Sequence, residues 1–131
     1  MSEDLPTIIL PWKFCAQANH RLMPVIRGGR AIVITAPPYR QAKESAELSI
    51  KRQWGRRAIL TAPLAVIARC YFPDRRRRDA SNLSKMLGDA MSGIVYEDDS
   101  QVHRETYERT GIDRANPRVV ITITPLTPIT E

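Results

Sequence analysis

Four consecutive arginines, Arg75 to Arg78, run directly into Asp79, and further carboxylates follow at Asp89, Asp98 and Asp99. Arginines bind phosphate, whereas bare carboxylates repel it. A surface carrying both needs something to reconcile them. A divalent cation does so: carboxylates hold Mg²⁺ or Mn²⁺, and the ion bridges to a phosphate oxygen. Each feature alone has an ordinary explanation, Asp79 as a helix N-cap and the arginines as a solvated run. Their adjacency favours the chemistry.

The segment that must hold these groups reads as a helix beginning at Asp79 and ending near Gly93. Leu83, Met86, Leu87, Ala90 and Met91 recur at helical spacing and form a core stripe. Asp79 supplies an N-cap and Gly93 a C′ residue. At about 100° per residue, Asn82, Lys85 and Asp89 fall within roughly 60° of one another beside that stripe. This edge offers an amide, a cation and a carboxylate. Lys85 and Asp89 equally make an ordinary i, i+4 surface pair worth a few tenths of a kcal/mol. Gly88 inside the helix costs about 1 kcal/mol against alanine, which points to close packing or substrate approach. Beyond the helix, Glu97, Asp98 and Asp99 are adjacent. Aspartates are common in turns, yet three neighbouring acids repel one another unless a cation or arginine relieves them. A return loop after the helix brings this turn back towards Asp79.

The scaffold follows from the remaining pattern. Thr7 to Leu10 and Ala31 to Thr35 predict short strands, possible partners in a hairpin, with a loop through Asn19-His20-Arg21 and Pro24 and a turn at Gly28-Gly29 between them. Tyr39, Ala42, Ala46, Ile50 and Trp54 predict a helix over about 38–54, with Glu47 and Lys51 paired on its wet side. Leu64 to Phe72, apolar on both faces until Arg69, suits the middle of a sheet. Gln101 to Arg109 predicts a polar strand and Val119 to Thr124 an alternating closing strand. The expected order is β-β-α-β-α-β-β, a single α+β domain over residues 1–131 with a mixed sheet, two main helices and loose ends at 1–5 and 126–131.

Composition narrows the class. The chain has 131 residues, with 20 Lys and Arg against 14 Asp and Glu, a net charge of +6. That length buries a core without disulfides or structural metal. The basic balance suits a polyanionic partner. Arg52, Arg56, Arg57 and the run at 75–78 bracket the predicted 64–72 strand. Aromatics make up only 6% of residues, too few for a base-stacking platform, so backbone phosphates are the better target. No run approaches about eighteen apolar residues, and Met1-Ser2-Glu3-Asp4 lacks the basic flank of a signal peptide, so a cytoplasmic protein without a membrane partner is expected. Cys15 and Cys70 form no C-x-x-C, and Cys70 reads as a buried thiol.

From Pro73 to Val102 the chain resembles the RusA family of Holliday-junction resolvases, small dimeric Mg²⁺-dependent endodeoxyribonucleases of bacteria and their phages. The resemblance rests on the arginine run into Asp79, Asn82-Leu83, Lys85, Asp89-Ala90 and Glu97-Asp98-Asp99-Ser100-Gln101-Val102. It extends upstream through Leu10-Pro11-Trp12, Asn19-His20-Arg21, Gly28-Gly29-Arg30 and Tyr39-Arg40. It implies a RusA-like fold, with Asp79 as the first catalytic carboxylate, Lys85 as the essential lysine and Asp99 as the acid near the motif's end. Asp98 is that residue's acidic neighbour. Asp79, Asp89, Asp98 and Asp99 are the expected ligands of Mg²⁺, for which Mn²⁺ would substitute. Arg75, Arg76, Arg77 and Arg78, with Asn82, Asn19 and Arg21, are expected to contact branched double-stranded DNA.

One position departs from the resemblance. The family's helix start is often Asp-x-Asp, and here it is Asp79-Ala80-Ser81. A serine hydroxyl is a weaker ligand for a hard cation and no general base at neutral pH. Three functions stay open: a metal-dependent endonuclease that resolves four-way junctions by paired cuts in recombination and repair, a junction-binding module with weak or no cleavage because of Ser81, and an α+β protein whose charges are merely solvated. Paired cuts need two sites and hence a homodimer, with the Gly88 region and Met91 as candidate interface.

Overall fold

The computed structural model describes residues 5–16, 18 and 20–126. In chain order its elements are β1 (Ile8–Pro11), β2 (Leu22–Arg27), β3 (Arg30–Thr35), α1 (Pro37–Trp54), β4 (Leu64–Phe72), α2 (Leu83–Met91), β5 (Val102–Ile112) and β6 (Arg118–Pro125). A four-stranded sheet runs β1-β6-β4-β5, and β2 and β3 form a separate two-stranded ribbon. β4 is parallel to β5 and antiparallel to β6, so the sheet is mixed. The parallel step from β4 to β5 requires a crossover, and α2 makes it.

One face of the sheet builds the core. Leu64, Val66, Ala68, Cys70 and Phe72 of β4 and Val119, Ile121 and Ile123 of β6 are buried on that side. They meet Ala46, Ile50 and Trp54 of α1 and the whole expected stripe of α2. Cys15 and Cys70 are both buried free thiols, and burial raises them to about 12 and about 11 respectively. Gln53 of α1 seals the outer edge of β1, accepting from the Ile9 amide and donating to the Ile9 carbonyl, each at 2.8 Å. A side chain thus satisfies backbone groups that would otherwise template edge pairing.

Several expectations are corrected. Residues 22–27, part of the expected loop through Pro24, are β2, so the order is β-β-β-α-β-α-β-β. Proline is tolerated because β2 pairs only with β3, leaving its other edge free of the ladder. Ala31 to Thr35 therefore pairs with β2, whereas the first strand pairs with β6. Glu47 pairs with Lys43 at 3.9 Å rather than with Lys51. The α-helix starts at Leu83, after a 3-10 turn over Ala80–Asn82 that Asp79 caps. Gly93 has φ +85° two residues past the helix end, as a C′ glycine should. Met91 is 1% exposed inside the chain's own core, and Gly88 is buried, so neither offers an interface. Of the expected loose ends, 1–4 and 127–131 lie outside the described residues. Leu5 packs on the core, and the Leu126 amide donates to the Pro63 carbonyl at 2.8 Å.

Candidate active site

β4 delivers the chain at Phe72 into the arginine run, which is stapled from inside. Asp74 accepts from the Arg76 amide at 2.9 Å and from Arg78 Nη1 at 2.8 Å. The Arg78 guanidinium lies over Trp12 and Phe72, 5.6 and 5.4 Å from their ring centroids. Arg109, from β5, donates to the Arg76 and Arg78 carbonyls at 3.0 and 3.2 Å. Arg78 is consequently an internal clamp, its side chain 15% exposed, while Arg75, Arg76 and Arg77 face solvent. The Arg78 hydrogen bond, with that of the Arg76 amide, draws the Asp74 carboxyl from 3.8 down to about 2. Because the folded value is the lower one, the clamp is fully in place at neutral pH and is lost as pH falls through about 2.

Asp79 ends the run. Its Oδ1 accepts from the Ser81 hydroxyl at 2.6 Å and from the Ser81 amide at 3.0 Å. These two bonds, the hydroxyl's first, hold its carboxyl below the ordinary carboxylate range. Two clefts open beside this turn. One, of about 440 Å³, is lined by Arg76, Arg77, Arg78 and Asp79, with Trp12 and His20 also in its wall. The other, of about 430 Å³, lies between α2 and β5 and is lined by Ser81, Ser84, Lys85, Asp99 and Glu105. Asn82 lines both clefts. Arginine and carboxylate chemistry therefore meet at the start of α2.

The structure brings Asn82, Lys85 and Asp99 into one cleft and puts Asp79 one hydrogen bond from its wall, through Ser81. Gly88 faces Asp99: a β-carbon there would lie 3.9 Å from Asp99 Oδ2. Asp89 is not in the cleft lining; its Oδ1 accepts from Lys85 Nζ at 3.1 Å. Asp98 is not in it either, because its carboxylate accepts from the Ser100 hydroxyl and amide and caps the turn before β5. Those bonds, the hydroxyl's first, lower its pKa. Arg21 stands at the foot of the ribbon, its carbonyl accepting from the Ala36 amide at 2.8 Å. Asn19 lies outside the described residues.

Three contributors went unread in the sequence. Asp74 staples the arginines. Gln101 accepts from the Glu97 and Asp98 amides at 2.8 and 3.0 Å and donates to the Leu60 and Ala62 carbonyls at 2.9 and 3.1 Å, so one side chain sets the acidic turn against the body of the protein. Its signal was its place in the acidic motif. Glu105 had no signal, since it stands in a polar strand among other charges.

A family model described as endodeoxyribonuclease RusA matches residues 11–124. The chain belongs to the RusA family. Its mixed sheet and two helices are consistent with the RusA fold, and membership implies an endodeoxyribonuclease acting on Holliday junctions. No curated protein matches the chain. Among the described residues no helix is long and apolar enough to cross a membrane. No three His, Cys, Asp or Glu side chains among them form a ready-made metal cage. A hard cation such as Mg²⁺ does not need one: it binds through one or two carboxylates and keeps waters and substrate phosphates as its other ligands. The carboxylate and hydroxyl oxygens of the α2–β5 cleft are donors of that kind.

The arginines of this RusA-family chain divide into two kinds, with separable outcomes. Arg78→Ala should lower the melting temperature by roughly 4–8 °C, since two cation–π faces at about 0.5–1 kcal/mol each are lost. The double substitution Arg75→Ala/Arg77→Ala should leave melting unchanged and flatten the salt dependence of DNA binding by about 0.9 per phosphate contact removed. Calorimetric melting and a salt titration of DNA affinity check both.

Proposed function

We propose that this chain resolves four-way DNA junctions by cation-assisted hydrolysis of phosphodiesters, in recombination and repair, as a cytoplasmic homodimer. The observation that carries the reading is the meeting at Asn82 of an arginine-lined cleft and a cleft holding Lys85 and Asp99. Arg76 and Arg77 would hold the DNA backbone beside the site, positioning it without reading sequence. Asp79, ionised at neutral pH, and Asp99 would hold Mg²⁺, with Mn²⁺ able to replace it. The cation supplies charge neutralisation at the phosphate and a more acidic water. Lys85 would meet negative charge developing on the phosphate or the leaving oxygen. Asp98 and Gln101 would fix the turn that carries Asp99.

A second reading, junction binding with weak or no cleavage, is favoured by Ser81. Its hydroxyl donates to Asp79 at the position where a second carboxylate would stand. A labelled synthetic four-way junction, incubated with Mg²⁺, Mn²⁺ or EDTA, separates the two. Symmetric paired cuts with either cation and none with EDTA support resolution. Binding without cuts under every condition selects the second reading, and neither binding nor cutting sinks both. Two symmetric cuts require two sites, so sedimentation equilibrium at micromolar protein should report a dimer; a monomer that stays monomeric on the junction would exclude this geometry.

A further inference from the structure

We infer that Glu105 supplies the second carboxylate of the site that Ser81 does not, an inference that rests on the reading of this cleft as a cation-assisted nuclease site. In this chain the carboxylate would come from the facing strand rather than from the start of the helix. β5 pairs in parallel with β4, and its register slips by one residue between Val102, opposite Leu64, and Arg104, opposite Ala65. His103 is the extra residue. Paired residues of neighbouring strands share a face, so Val102 and Glu105, three apart, both stand on the side of Leu64 and Val66, where α2 packs. Without the bulge, strict alternation from Val102 would turn residue 105 to the opposite face.

The carboxylate is held once it arrives. Ser84, in the first turn of α2, donates its hydroxyl to both Glu105 oxygens, at 3.2 Å to Oε1 and 3.0 Å to Oε2. Ser84 is three residues beyond Ser81, one helical turn along the same wall. The cleft then contains two carboxylates, Asp99 and Glu105, while its lysine is engaged with Asp89 at 3.1 Å. Two acids facing one space without a bonded cation repel each other. One or two carboxylates with hydroxyl and water oxygens are the ligands that Mg²⁺ takes. Glu105 is therefore a cation ligand of this chain, standing in for an acid at position 81.

The test measures binding of Mn²⁺ alone to the full chain without DNA, by the free-ion paramagnetic resonance signal, alongside junction cleavage. Glu105→Gln keeps an oxygen for Ser84 and should melt like the wild type in EDTA. It should bind Mn²⁺ at least about tenfold more weakly, the scale seen when a group supporting a metal site is removed. Adding Ser81→Asp to Glu105→Gln should restore the affinity. Unchanged Mn²⁺ affinity in Glu105→Gln overturns the inference, as does a loss that Ser81→Asp leaves unrepaired. Asp99→Asn keeps the two questions apart: if it loses Mn²⁺ and cleavage while Glu105→Gln loses neither, the nuclease reading stands and only the role of Glu105 falls. A wild-type chain that neither binds Mn²⁺ nor cuts junctions overturns both.

Discussion

Asp79→Asn is expected to reduce junction cleavage by on the order of a hundredfold or more, the scale of losing one contact to charge that develops in the transition state. Junction affinity should stay the same or rise slightly, because a negative charge beside the phosphate is removed. The structure makes this a clean substitution. Asp79 is exposed, and its visible structural task is to accept from the Ser81 amide and hydroxyl. An asparagine side-chain oxygen accepts the same bonds and is an equally good N-cap. The 3-10 turn and the α-helix behind it should therefore stay in place, with unchanged melting. Gel-based cleavage and a binding titration on the same junction check the two halves. Nicking at near wild-type rate would remove Asp79 from the site and the proposed mechanism with it.

The second large effect is expected at Lys85. Its ammonium bonds Asp89 at 3.1 Å, with the two side chains 59% and 30% exposed. As a surface pair within one helix this contributes no more than about 0.5 kcal/mol. Lys85→Met keeps the length and apolar character of the stem and removes the charge. If the pair were all that Lys85 does, the variant would be nearly silent. If Lys85 meets charge on the transferring phosphate, cleavage falls on the order of 10²–10³-fold while melting barely moves. Single-turnover cleavage with saturating protein isolates the chemical step from binding. A variant that cuts at the wild-type rate would return Lys85 to the status of a solvated surface charge.

Local and periodic information was legible without coordinates. The apolar run from Leu64 to Phe72 placed β4 at its observed limits between two neighbours. The stripes of α1 and α2 were read correctly because a 3.6-residue repeat of buried positions needs only the sequence around it. The capping role of Asp79 and the left-handed glycine at 93 were legible for the same reason: each acts within a few residues. The motif from Pro73 to Val102 carried the family, which the match over 11–124 bears out.

Pairing and register were decided only by the tertiary structure. Nothing near Leu22 announces that a proline-bearing segment will find β3, because a strand is stabilised by its partner rather than by itself. Nothing near Ile9 announces that Gln53, 44 residues away, will close its edge. The same applies to the arginine run, which reads as four equivalent cations until Asp74, Trp12 and Phe72 take one of them inside. The furthest consequence is at β5. Its two register shifts against β4 break the two-residue period that any sequence reading of a strand relies on. A single inserted residue, His103, turns Glu105 towards α2 and Asp99. The motif by itself determined the nuclease family and pointed to Lys85 and Asp99, which share a cleft. Which carboxylates share a cleft was settled by a bulge, because a one-residue change of register moves a side chain from one face of a sheet to the other.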